Sequence, residues 1–133
     1  MSRTYELAFP VHRDNWWTAN DRLHHHAVAK RKRHLRALAA WTVAQARPPR
    51  FERARVIAHV SYPTNTRADP GNVVGTVVKA LIDGMTDAGC FPDDDHTHLV
   101  GPDPRRGPKT GKTGMWWVRL EVHELTNNDE TTE

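Results

Sequence analysis

The chain has a single cysteine, Cys90, among its 133 residues, which rules out an internal disulfide and fits a reducing compartment. Long apolar runs are also missing. None approaches the roughly 20 residues a membrane helix requires, and the opening "MSRTYELAFPVHRDN" has no apolar segment of the kind a secretory signal carries. These absences lead to the expectation of a soluble cytoplasmic protein with no membrane partner. Repeats and internal domain boundaries are absent too. One domain over 4–126 is therefore expected, followed by an acidic tail, 127–133, expected to be disordered. What is present argues for a folded body: 38% of the residues are hydrophobic, and five are tryptophans.

The net charge of +3 understates how basic that body is, because the tail "NNDETTE" holds three acids and no base. Setting those three charges aside leaves the body near +6. The basic residues also cluster. "KRKRHLR" supplies Lys30, Arg31, Lys32, Arg33 and Arg36, and "RRGPKTGK" supplies Arg105, Arg106, Lys109 and Lys112. Each patch alone reads equally well as a solvated surface. Together, in so short a chain, they suit a polyanion, and nucleic acid is the commonest one.

The elements follow from period and punctuation. "TYELAFP" alternates and stops at Pro10, a strand. A first helix is expected over 22–46, capped by Asn20 or Asp21, with Leu35, Leu38, Ala39 and Thr42 facing inward and a basic outer face. "RPP" at 47–49 ends it. A second strand is expected at 53–62 and a second helix over 73–88, with Gly89 as its stop. That helix has an apolar stripe (Val74, Val77, Val78, Leu81, Met85) and a polar one (Asn72, Thr76, Lys79, Asp83). "HTHLVG" reads as a short strand, "PDPRRGPKTGKTG" as a flexible basic loop, and "MWWVRLEVHE" as a last strand with Trp116, Val118, Leu120 and Val122 on one side. The order implies an α+β fold: a mixed β-sheet with two helices packed on one face.

Two acidic points bracket the second helix, Asp69 before it and Asp93-Asp94-Asp95 beyond it. Spacing alone sets them roughly 25 Å apart at 1.5 Å per residue, so they meet only if a connection folds back. Asp69 reads equally as a helix N-terminal acid, and the aspartate run as a solvated turn. Should they converge, oxygen-only ligands select a hard cation, Mg²⁺ or Mn²⁺. Lys79, leaning toward the helix start as helical side chains do, would then neutralise charge on a phosphate. Other candidates are weaker. His24-His25-His26 contains no i, i+4 pair for zinc, and His96 and His98 have no further ligand pattern. Cys90 reads as a small buried hydrophobe. Trp16-Trp17 suits either base stacking or a core role.

The stretch "RADPGNVVGTVVKALIDGMTDAGCFPDDDH" (67–96) resembles the RusA family of Holliday junction resolvases, particularly its phage-borne branch. The family shows a "D-x-D-N" element, a helix with Lys and an "IDGL-x-DAG"-like segment, then a loop with "DD". Asp69, Asn72, Lys79, "LIDGMTDAG" and Asp93-Asp94 match in that order, and "TANDRLHH" (18–25) is similar to the family's "N-x-R-x-H" stretch. The resemblance spans most of the chain, and its specific part is 67–96. It implies a homodimer in a bacterial or phage-infected cell that binds four-way DNA junctions and resolves them by paired, Mg²⁺-dependent nicks, serving recombination, repair or phage DNA processing. It also implies Asp69 and Asp94 as catalytic metal ligands, Lys79 as the catalytic lysine and Asp93 as a further metal-binding acid, with Asn72 in support. One position departs: Gly71 stands where the family has its second acid. A missing carboxylate weakens metal binding, and water, Asn72 or Asp95 are the candidates to replace it. Two readings therefore stand open, a working nuclease with a rearranged site and a branched-DNA-binding protein with weak or absent cleavage.

Overall fold

A computed structural model describes residues 3–126; the acidic tail expected at 127–133 lies outside the described residues. Four strands, β1 (Thr4–His12), β2 (Ala54–Ser61), β3 (Leu99–Arg106) and β4 (Met115–Glu124), form one sheet in the order β1-β4-β2-β3. β4 pairs antiparallel with β1 and β2, while β3 runs parallel to β2, a pairing that the helical crossover between them makes possible. The sheet is mixed and the fold is α+β, as expected.

Alternation decides which face is covered. Leu7, Phe9 and Val11 of β1, Val56, Ala58 and Val60 of β2, and Val118, Leu120 and Val122 of β4 are all buried. Helix α1 (His25–Ala46) covers them with Leu35, Ala39 and Val43, and helix α2 (Lys79–Asp87) with Leu81, Ile82 and Met85. Trp116 and Leu38 pack against the same core, as their spacing predicts. The opposite face is a polar lattice, with Arg119 on Glu6 at 2.7 Å, His59 on Glu121 at 2.8 Å, and His123 on the other Glu121 oxygen. Among the described residues no helix is long and apolar enough to cross a membrane.

Three boundaries differ from expectation. Asn20 and Asp21 do not cap α1; they close a turn with Thr18, which donates its N–H to Asp21 Oδ2 at 2.9 Å and accepts from Asn20 N–H at 3.2 Å. Short polar side chains that bond their own backbone divert the chain from helix, so α1 starts later and takes His24 as its cap. Arg105 and Arg106 are not in a loop but at the end of β3, opposite His59 and Val60. Pro102 and Pro104 make that segment read as loop, yet β3 is a sheet edge, where a residue without an N–H is tolerated. The second helical run also starts earlier, with a 3₁₀ turn at Pro70–Val73 and a π turn at Val74–Val78 before α2. Thr76 consequently turns inward, donating to the Trp17 carbonyl at 2.9 Å instead of standing on an open stripe.

Candidate functional site

The connection after α2 folds back. Gly89 takes φ 93°, the left-handed stop expected of it, and Cys90 N–H returns to the Met85 carbonyl at 3.0 Å. Cys90 and Phe91 are buried, and the Cys90 carbonyl accepts from Phe51 N–H at 2.8 Å. Burial pushes the Cys90 thiol up to about 11, as suits a small hydrophobe and not a nucleophile. Anchored there, the chain runs back along the helix. Asp94 Oδ2 meets Lys79 Nζ at 2.5 Å, at the first residue of α2 and not beyond its last. Lys79 also donates to Asp83 Oδ1 at 2.6 Å, so it leans forward along the helix, opposite to the expected direction.

One ammonium thus serves two carboxylates. Burial alone would lower the Lys79 pKa, but the hydrogen bonds to Asp83 and Asp94 outweigh it and hold the group above its ordinary value. The bond from Lys79 holds Asp94 down to about 2. Asp83 moves the other way, raised first by burial and then by the nearby Asp94 carboxyl against the pull of Lys79. With its folded value below the unfolded one of about 3.9, ionised Asp94 stabilises the fold above about pH 4, and that contribution is lost as pH falls toward 2. Asp83, raised on folding, contributes the opposite sign. A carboxyl-detected NMR titration is expected to show Asp83 protonating first and Asp94 last; an Asp94 midpoint near 4 would show that the clamp does not persist in solution.

Lys79 and Asp94 stand at a cavity of about 260 Å³ that is otherwise mainly apolar, lined by Val74, Gly75, Gly101 and Pro102 among others. The remaining acids are arranged differently. Asp69 caps the 3₁₀ turn, its Oδ1 accepting from Gly71 N–H at 2.9 Å. Asn72 accepts Ala19 N–H on its carbonyl at 2.8 Å, which ties the 16–24 segment to the start of the helical run. Asp93 Oδ1 accepts Asp94 N–H at 2.7 Å. Asp95, a candidate to replace the acid missing at Gly71, is held in a turn. Its Oδ1 is engaged within its own turn by Thr97 N–H at 3.1 Å, the Thr97 hydroxyl at 2.6 Å and His98 Nδ1 at 2.8 Å.

Does this set fit a hard cation? The donors are oxygens, as Mg²⁺ requires, and Asp69 and Asp93 are exposed. Ligands on opposite sides of Mg²⁺ lie about 4.2 Å apart, given Mg–O near 2.1 Å. Among the described residues, only His24, His25 and His26 bring three His, Cys or carboxylate donors within 4.8 Å of one another. The acids therefore fit an ion held by one or two carboxylates and otherwise by water or phosphate oxygen, not a cage of three.

The basic residues divide. Lys30, Lys32, Arg33, Lys109 and Lys112 are exposed and form no ion pair among the described residues. Arg36 is bound to Asp87 through two bonds, at 3.0 and 2.8 Å, and Arg105 to Asp103 at 2.7 Å. Arg106 lies 4.4 Å over the Tyr62 ring and donates to the Thr64 and Ala68 carbonyls, bracing the segment that leads into Asp69. Arg31 is half-buried. Trp17 is buried and Trp16 stacks on Trp116 at 5.0 Å, so both belong to the core and not to a base-stacking surface. Two residues were not among the candidate site residues that the sequence offers. Asp83 carries the i, i+4 signal from Lys79. Trp41, 63% exposed on α1, lies at helical spacing from Lys30 and Arg33 on the outer face.

No known protein family and no curated protein sequence matches this chain. What fold and site define together is a small α+β domain with a lysine–carboxylate clamp beside a cavity.

Proposed function

We propose that the protein is a Mg²⁺-dependent, structure-selective endodeoxyribonuclease acting on four-way DNA junctions as a homodimer. The observation that supports this reading is the return of Asp94 to Lys79 at the cavity, which sets the acid after the helix beside the lysine that begins it. One or two of Asp69, Asp93 and Asp94 would hold the ion, with water or phosphate oxygen completing its shell; when bound it would polarise a phosphodiester and stabilise the leaving oxygen.

The chain's own groups do the rest. Lys79, kept charged by its two carboxylates, presents a cation where charge develops on the phosphate. Asp83 holds that ammonium in place when Asp94 turns toward another partner. Lys30, Lys32, Arg33, Lys109 and Lys112 supply contacts to the phosphate backbone, and Trp41 offers an exposed ring further along α1. If five such contacts form, a fourfold rise in salt weakens binding by roughly 500-fold.

A second reading, a junction-binding protein with weak or no cleavage, is favoured by one observation: Gly71 offers no carboxylate, and Asp95 has one of its two oxygens engaged within its own turn. A labelled four-way junction incubated with Mg²⁺ or Mn²⁺ separates the two. Paired nicks support the nuclease; tight, salt-sensitive binding without nicks supports the binder; absence of binding rejects both. Gly71→Asp is the informative variant. A Cβ there would stand 3.2 Å from Asp69 Oδ1, so a new carboxylate would lie next to the existing one. It is expected to raise nicking at least tenfold at low Mg²⁺, and no gain would exclude the missing acid as the limiting feature.

A further inference from the structure

Three consecutive histidines within a regular helix would splay by about 100° per residue and not converge. Here the helix begins inside the run. His24 is the cap, extended at φ −60° and ψ 145°, and its ring folds over the first turn so that Nδ1 accepts His26 N–H at 3.2 Å. The His24 ring stacks on those of His25 and His26 with centroids 4.3 and 5.0 Å apart, the His25 and His26 rings are tilted at 4.2 Å, and one ligand nitrogen from each lies within 4.8 Å of the others. All three are exposed, and none forms an ion pair among the described residues.

We infer that His24, His25 and His26 form a binding site for a zinc-class transition-metal cation at the start of α1, separate from the carboxylate site. Neutral imidazole is the ligand that borderline divalent cations prefer, and a hard ion such as Mg²⁺ does not compete for it. Tetrahedral zinc with Zn–N near 2.05 Å sets its nitrogens about 3.4 Å apart. The rings therefore close by about an ångström from where they stand, which exposed side chains do without backbone movement. Three nitrogens leave one position open to water.

Two effects oppose the ion and limit its affinity. The positive end of α1 repels it, by a factor of about two to five. His24 must also release its long bond to His26 N–H, because a ring whose Nδ1 accepts a proton donor carries its own proton on Nε2. Binding has a structural consequence. The 16–24 segment is tied to the helical run by Ala19 N–H on the Asn72 carbonyl at 2.8 Å, so an ion that fixes His24 braces the segment next to Asp69.

Calorimetric titration of the full chain with ZnCl₂ is expected to give one ion per chain, with affinity at least tenfold weaker in H25Q/H26Q. D94N and H123Q are expected to bind zinc as the native protein does, and MgCl₂ in excess to leave the zinc titration unchanged. Zinc X-ray absorption should show two or three imidazole nitrogens around the ion. An unchanged titration in H25Q/H26Q overturns the site, as does an oxygen-only shell, loss of binding in H123Q or D94N, or displacement by Mg²⁺.

Discussion

Gly84→Ala is expected to destabilise the fold by about 2 kcal/mol or more, in spite of alanine's better helix propensity. Gly84 sits in α2 where that helix crosses α1. A Cβ added there would stand 2.3 Å from the Arg36 carbonyl oxygen, 2.7 Å from the Ala39 Cβ and 2.9 Å from the Arg36 Cα. Backbone atoms of a packed helix cannot turn aside as a long side chain does, so the two helices must separate. Separation opens the layer formed by Leu35, Ala39, Leu81 and Met85, all buried. It also pulls Arg36 from Asp87, now joined at 2.8 Å. The helix propensity gained is about 1 kcal/mol, against an overpacking cost of about 3 kcal/mol. In thermal unfolding the loss should appear as a fall of roughly 10 °C in Tm. Gly75→Ala is the matched control. Its Cβ would meet nothing within 4 Å, and it should leave Tm unchanged or slightly raised. Equal melting of both variants would show that the helices do not cross at Gly84 as closely as described.

The value of Gly84 was not legible in the sequence, where it is one residue of "LIDGMTDAG" with nothing to say that another helix touches it. The parts that were legible share a cause. Val118, Leu120 and Val122 fall at period two, and Leu35 and Ala39 at helical period, and each pattern reports a single buried face. Where local chemistry competes with pattern, the reading shifted. Asn20 and Asp21 are good caps by type but close a turn with Thr18; Pro102 and Pro104 signal loop but sit on a sheet edge. The site divides in the same way. The Lys79–Asp83 bond is local and could be read from spacing. The Lys79–Asp94 bond depends on how 88–93 packs Cys90 and Phe91 into the core, a tertiary event that no spacing encodes. Asp95 is the reverse case. As the third acid of its run it looked available, and Thr97 and His98, two and three residues on, are what occupy it.

If the protein is the nuclease proposed above, Lys79→Met is expected to lower junction nicking by about 100-fold or more, the effect of removing one charged stabiliser from a developing phosphate anion. Junction binding should then change by less than about threefold, because the exposed cations at Lys30, Lys32, Arg33, Lys109 and Lys112 are untouched and on that reading would carry the salt-dependent part of affinity. Methionine keeps the length and apolar stem that line the cavity beside Val74 and Pro102, so the substitution removes charge without opening space. It also leaves Asp83 and Asp94 facing each other without the cation that joins them at 2.6 and 2.5 Å. Two carboxylates so placed do not both remain ionised at their former values: Asp94 must rise from about 2, and Asp83 further than it already stands. That titration gives a readout independent of DNA. If Asp94 rises and nicking falls while binding holds, Lys79 acts on the reacting phosphate. If nicking and binding fall in parallel, Lys79 is a phosphate-binding residue. An Asp94 value unchanged by the loss of Lys79 would mean that the clamp is not what depresses it, and the site would have to be built on Asp94 and Asp69 without a lysine.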